Sequence, residues 1–146
     1  MNPADQFHVG IVVEDLDAGL DELGALLGHD WGPEVDVEQP VRLPDGAATV
    51  RFRFRYSRST PRLEVIQAQP GTVWTPAAGS GIHHLGWWSD DVIGDGERLA
   101  AAGYALEAAG EDEHGTRSWA YHRSPTGPRV ELVSRNLASA MAALWA

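Results

Sequence analysis

The chain has 146 residues and a formal charge of −10, with 21 acidic residues against 11 basic ones, and 43% of it is apolar, enough for one ordinary core. There is no cysteine, and every basic side chain is an arginine, which excludes disulfides, thiolate ligands, a cysteine nucleophile and a lysine Schiff base. The acidic balance argues against a nucleic-acid partner, no run approaches the ~18 to 20 apolar residues of a membrane span, and Met1 to Asp5 lack the regions of a signal peptide, so we expect a cytoplasmic protein with a small-molecule partner.

Residues 6 to 13 alternate, with Phe7, Val9, Ile11 and Val13 on one face and His8, Gly10 and Val12 on the other, which is the period of a strand. Asp15 then caps a helix whose Leu16, Leu20, Leu23 and Leu27 recur at helical spacing, and Gly28 stops it. Pro33 and Pro40 predict only an irregular or edge strand over residues 31 to 43. After the Pro44-Asp45-Gly46 turn, Val50, Phe52, Phe54 and Tyr56 alternate with Arg51, Arg53 and Arg55, a basic stripe we read as a solvated strand face. Residues 61 to 67 form a short strand with Glu64 opposite Leu63 and Val65. A Pro-, Gly- and Ala-rich connector, Ala68 to Ser80, follows.

The order then restarts. A strand from Ile82 to Ser89, a helix from Asp91 to about Ala102 weakened by Gly94 and Gly96, and strands around 104 to 109, 116 to 123 and 129 to 133 repeat the first half. Asn136 is placed to cap a last helix through Trp145, with Leu137, Met141 and Leu144 on one face; so apolar a helix docks on its own body or on a second subunit.

The repeat is explicit. Phe7-His8-Val9-Gly10-Ile11-Val12-Val13-Glu14-Asp15 aligns without a gap on His83-His84-Leu85-Gly86-Trp87-Trp88-Ser89-Asp90-Asp91, and Pro61-Arg62-Leu63-Glu64-Val65-Ile66 aligns on Pro128-Arg129-Val130-Glu131-Leu132-Val133. Each half thus carries one histidine near its start and one glutamate near its end, and the alternation sends His8, Glu64 and Glu131 away from the apolar strand faces that the helices would cover, with His84 following from the repeat. Two imidazoles and two carboxylates with no thiolate are a donor set for one divalent ion such as Zn, Ni, Co, Mn or Fe(II).

The paired modules with His8, Glu64, His84 and Glu131 resemble the vicinal oxygen chelate superfamily of glyoxalases, bleomycin-binding proteins and extradiol dioxygenases. The motifs at 8 to 16 and 81 to 87 look most like its methylmalonyl-CoA epimerase branch; that epimerase commonly has Gln where this chain has Glu64, and glyoxalase I has Glu. The resemblance implies an α+β fold of two tandem βαβββ modules forming a paired, curved mixed sheet around a cleft. It places a single domain at 5–136, with modules at about 6–68 and 81–134, and a C-terminal helix at 137–146. It also implies a homodimer and a metal-dependent isomerase, epimerase or lyase that moves a proton beside a carbonyl. The alternatives are a metal-free antibiotic-binding protein and an Fe(II) dioxygenase. In the first reading Glu64, Glu131 and His122 are the proton-transfer candidates. Arg62, Trp88, Trp119, Tyr121 and Arg129 are the substrate-binding ones. The six tryptophans would suit a ring-bearing or bulky apolar substrate, and core packing explains them equally well.

Overall fold

The computed structural model describes residues 1–146. Its first module runs β1 (Gln6–Val13), α1 (Leu16–Leu27), β2 (Val35–Leu43), β3 (Gly46–Tyr56) and β4 (Leu63–Gln67); its second runs β5 (Ile82–Ser89), α2 (Val92–Ala101), β6 (Ala105–Glu111), β7 (Arg117–Arg123) and β8 (Arg129–Ser134). The eight strands close into a barrel in the order β1-β4-β3-β2-β6-β7-β8-β5. Within each module the first and last strands pair in parallel, β1 with β4 and β5 with β8, and the remaining pairings are antiparallel. The modules meet along β1 and β5. On the far side β2 touches β6 only at Val41↔Gly110 and Arg42↔Ala109. Pro40 explains the brevity of that second seam: a strand containing proline pairs fully on one side and serves as an edge on the other.

The helices begin where the sequence puts them. Asp15 accepts a hydrogen bond from the Ala18 amide at 3.0 Å, and its repeat equivalent Asp91 accepts one from Gly94 at 2.9 Å. α1 lays Leu16 and Leu20 on Val65, while Leu27 at its end is exposed; α2 lays Val92 and Leu99 on Ala109, Ala120 and Leu132. Both helices therefore cover the convex side of the sheet.

Two expectations are corrected. The largest apolar cluster, including Val12, Val50, Phe52, Ile66, Trp74 and Tyr121, fills the barrel interior on the same side as His8, whereas Phe7, Val9 and Ile11 on the outer face of β1 are only half-buried. Strand alternation separates the two faces, but ring closure decides which one is enclosed. Asn136 does not cap the last helix. It lies inside a 3₁₀ turn, Arg135–Leu137, followed by a short helix α3 (Ala138–Met141) and a second 3₁₀ turn, Ala142–Trp145. This segment docks on its own chain, with Leu137, Met141 and Leu144 over the open end of the barrel interior. No helix is long and apolar enough to cross a membrane.

Candidate metal centre

Strand register builds the centre from two crossed rows. Gly10 on β1 stands between Glu64 on β4 and His84 on β5; Gly86 on β5 stands between Glu131 on β8 and His8 on β1. A glycine in the middle of a row leaves a gap in the side-chain layer, and the neighbouring imidazole leans into it. A Cβ built on Gly10 would lie 1.8 Å from His84 Cε1, and one on Gly86 2.0 Å from His8 Cε1. The glycine of each module thus makes room for the histidine of the other.

The result is four buried side chains whose donor atoms all lie within 4.8 Å of one another. His8 Nε2 is 2.9 Å from His84 Nε2, 2.9 Å from Glu131 Oε2 and 3.6 Å from Glu64 Oε2; His84 Nε2 is 3.1 Å from Glu64 Oε2 and 3.5 Å from Glu131 Oε2. Ligand atoms ~2.1 Å from a common divalent ion stand roughly 3.0 Å apart in an octahedral arrangement and roughly 3.4 Å apart in a tetrahedral one, so this spacing fits. Glu64 Oε2 and Glu131 Oε2 are buried with no hydrogen-bond donor, an arrangement that a shared cation relieves. Burial keeps both imidazoles neutral, lowering His8 and taking His84 down to about 3. Burial, reinforced by the charge of Glu64, pushes the Glu131 carboxyl up to about 8.

Two supports escaped sequence reasoning. Tyr56 is paired across the sheet with Glu64, and its repeat equivalent Tyr121 with Glu131. Burial together with the two glutamates raises both phenols well above 10. The Tyr-x-x-Ser repeat at 56 and 121 was the available signal for Tyr56. The other support is His83, fully buried between Val73 and His84. Its Nε2 lies 2.8 Å from the Val73 carbonyl and its Nδ1 lies 3.0 Å from His84 Nδ1. A carbonyl only accepts, so His83 Nε2 carries the hydrogen; in the neutral ring Nδ1 then accepts from His84 Nδ1–H, leaving the His84 Nε2 lone pair aimed at the centre. His8 Nδ1 has no such partner.

The remaining site expectations divide. Trp119 and Tyr121 line the interior cavity beside Glu64 and Glu131. Arg62 and Trp88 line a separate groove with Phe7 and Trp145, where Trp88 stacks on Phe7 at 3.9 Å and the Arg62 guanidinium lies 4.2 Å over the Trp145 ring. Arg129 binds Glu107 at 2.5 Å at the edge of a third depression. His122 is a correction. It alternates with Tyr121 along β7 and points outward under α2, where a Cβ on Gly96 would meet its Nε2 at 2.9 Å; the glycine that weakens α2 on paper is the one that accommodates this ring. His122 therefore faces neither glutamate. The arginine stripe of β3 is engaged in surface ion pairs, Arg51 with Asp36 and Arg53 with Glu34.

Comparisons with solved structures place the fold. A variant of Streptomyces coelicolor methylmalonyl-CoA epimerase in complex with 2-nitronate-propionyl-CoA has a TM-score of 0.58 at 21% identity, over 89% of this chain and 96% of that one. The Mycobacterium tuberculosis methylmalonyl-CoA epimerase has a TM-score of 0.59 at 21% identity, over 92% and 91%. A hypothetical protein from Bacillus halodurans has 0.59 at 16%, over 89% and 93%. Among curated proteins no sequence matches this chain at a significant level. The family model described as the glyoxalase/bleomycin resistance protein/dioxygenase superfamily matches residues 7–122, a span that contains both modules' opening strands and three of the four clustered side chains, and the chain belongs to that superfamily.

Proposed function

We propose that this chain is a metal-dependent isomerase, epimerase or lyase that moves a proton at the carbon beside a carbonyl group of a small molecule. The observation that carries this reading is the pair of glutamates on opposite sides of one centre, each with a buried, unpartnered Oε2 beside two neutral imidazoles. His8, Glu64, His84 and Glu131 would hold one divalent ion, Zn, Ni, Co, Mn or Fe(II). When bound, such an ion supplies positive charge for the oxyanion that develops as the proton leaves.

The chain's own groups do the rest. Glu64 and Glu131 reach the centre from β4 and β8, related by the repeat, so one carboxylate takes a proton from one face of the substrate and the other returns it to the opposite face. Tyr56 and Tyr121 stand across the sheet from the two glutamates and flank them. His83 fixes the tautomer of His84. The epimerases among the fold neighbours support the proton-transfer reading. The same reading includes a cytoplasmic setting and a homodimer; the homodimer rests on the family resemblance alone, since the apolar face of the last segment is covered by its own chain.

The test is solvent-deuterium exchange at the carbon beside the carbonyl, with the metal-loaded protein and a panel of carbonyl compounds. Exchange that requires metal and falls roughly 10²-fold or more in Glu64→Gln and Glu131→Gln is expected. Fully loaded protein that exchanges none of the panel contradicts the proposal.

A further inference from the structure

Glu64 and Glu131 of the centre line a cavity of about 370 Å³, near the lower end of the ~300 to 1,000 Å³ usual for small-molecule sites. Thirteen of its 17 lining residues are hydrophobic, and the exceptions decide what it accepts. Glu64 and Glu131 belong to the centre itself. Gln39 and Ser118 are neutral. No lining side chain is cationic. The arginines nearest the centre are turned elsewhere: Arg62 lies over Trp145, Arg129 on Glu107 and Arg55 toward Glu34. A phosphate or carboxylate brought into this space would lose its hydration and meet no positive side chain.

The cavity also has a roof made by this chain. Leu137, Met141 and Leu144 line it from the C-terminal segment, opposite Phe52, Trp74 and Trp119. The segment is held at its end: Trp145 packs edge-on against Tyr56 at 5.4 Å and under the Arg62 guanidinium, and the Ala146 carbonyl accepts from Arg58. Gly32 fits beneath this segment because it has no side chain; a Cβ there would lie 1.9 Å from the Leu144 carbonyl oxygen. The aromatic walls are arranged edge to face, Phe52 with Trp74 at 4.7 Å and Trp74 with Trp119 at 5.9 Å, a lining that suits a flat ring.

From this we infer that the substrate is a compact, uncharged, ring-bearing molecule whose two neighbouring oxygens face His8, Glu64, His84 and Glu131 and whose ring lies under the C-terminal segment, and not a coenzyme A thioester of the kind bound by the neighbouring fold. The inference rests on the metal-dependent reading above and adds the substrate class to it.

Hydroxamates separate the two. Benzohydroxamate and acetohydroxamate carry the same chelating pair of oxygens and differ by the ring. The full-length protein loaded with Zn²⁺ would be titrated with each, and with propionyl-CoA, by calorimetry and by quenching of tryptophan fluorescence. Benzohydroxamate is expected to bind roughly 10- to 100-fold more tightly than acetohydroxamate, the range given by burying one aromatic side chain. Propionyl-CoA is expected not to compete. Met141→Glu, which adds a charge to the roof, should remove the benzohydroxamate advantage. Equal binding of the two hydroxamates, or displacement of benzohydroxamate by propionyl-CoA, overturns the apolar chamber and leaves the metal centre standing. Failure of both hydroxamates to bind, or of the protein to take up Zn²⁺, overturns the metal-dependent reading and the chamber with it.

Discussion

Replacing Gly86 by alanine tests whether the two crossed rows hold each other in place. The added Cβ would lie 2.0 Å from His8 Cε1 and 2.3 Å from its Nδ1, whereas ordinary contact begins at 3.4 Å, so the ring has to retreat by about 1.4 Å. The His8 side chain is 0% exposed, so the ring can retreat only by displacing the residues around it. Ligand distances in a metal site tolerate only ~0.2 Å. The account therefore expects metal affinity to fall at least about 100-fold, the upper end for disrupted ligand support. The overpacking itself costs about 1 to 3 kcal/mol, which for a chain of this size lowers the melting midpoint by roughly 3 to 10 °C. Gly10→Ala should give the reciprocal result through His84, whose Cε1 would lie 1.8 Å from the new Cβ. Gly127→Ala is the control, since its Cβ would meet nothing closer than 3.3 Å. The assay is calorimetric titration of metal-free protein with Zn²⁺, with circular dichroism to follow folding. Wild-type affinity in a folded Gly86→Ala or Gly10→Ala variant would refute the reciprocal-glycine reasoning.

His83→Phe keeps the buried ring but cannot accept from His84 Nδ1, so Zn²⁺ affinity should drop about 10- to 100-fold with the fold intact; an unchanged titration curve counts against the tautomer chain. The metal-free protein should be most stable near pH 6.5. Burial takes His83 to about 4 and His84 to about 3, below the unfolded value of 6.5, so the unfolded chain binds extra protons as pH falls from 6.5 and stability drops by about 1.4 kcal/mol per unit for each histidine. Glu131, raised to about 8, has the opposite sign: the native state holds the extra proton between 4.5 and 8, which offsets one histidine below pH 6.5 and lowers stability by about 2 kcal/mol from 6.5 to 8. Zn²⁺ should abolish the loss on the alkaline side, and denaturant unfolding at pH 5, 6.5 and 8 with and without metal reads all three. Leu16→Ala, at a fully buried position under α1, should cost about 2 to 5 kcal/mol in the same unfolding assay without moving the metal stoichiometry; a cost below 1 kcal/mol would contradict the packing of α1 on Val65.

The modules were legible because the repeat preserves residue type and period together. His8, Gly10 and Asp15 align on His84, Gly86 and Asp91, and in the fold those positions are a centre residue, the space beside it and a helix cap in both halves. Alternation also placed Glu64 and Glu131 on one side of their strands. It did not say that this side would be the enclosed one, because closure between β2 and β6 is a long-range event that leaves no local pattern. His122 shows the same limit from the other direction: the sequence places it near Glu131, and only the phase of β7 against α2 turns it outward. The apolar face of the C-terminal segment, Leu137, Met141 and Leu144, is legible at helical spacing, and the need for it to dock follows from its composition. What covers it depends on where the open end of the barrel lies, and that is fixed by all eight strands at once.

The most direct measurement is the metal content of the purified protein after dialysis against Zn, Ni, Co, Mn or anaerobic Fe(II), with His8→Ala and Glu131→Ala treated in parallel. One divalent ion per wild-type chain, lost in both folded variants, is the predicted result. A wild-type protein that takes up none of the five, or variants that bind as well as the wild type, would contradict a metal centre built from His8, Glu64, His84 and Glu131.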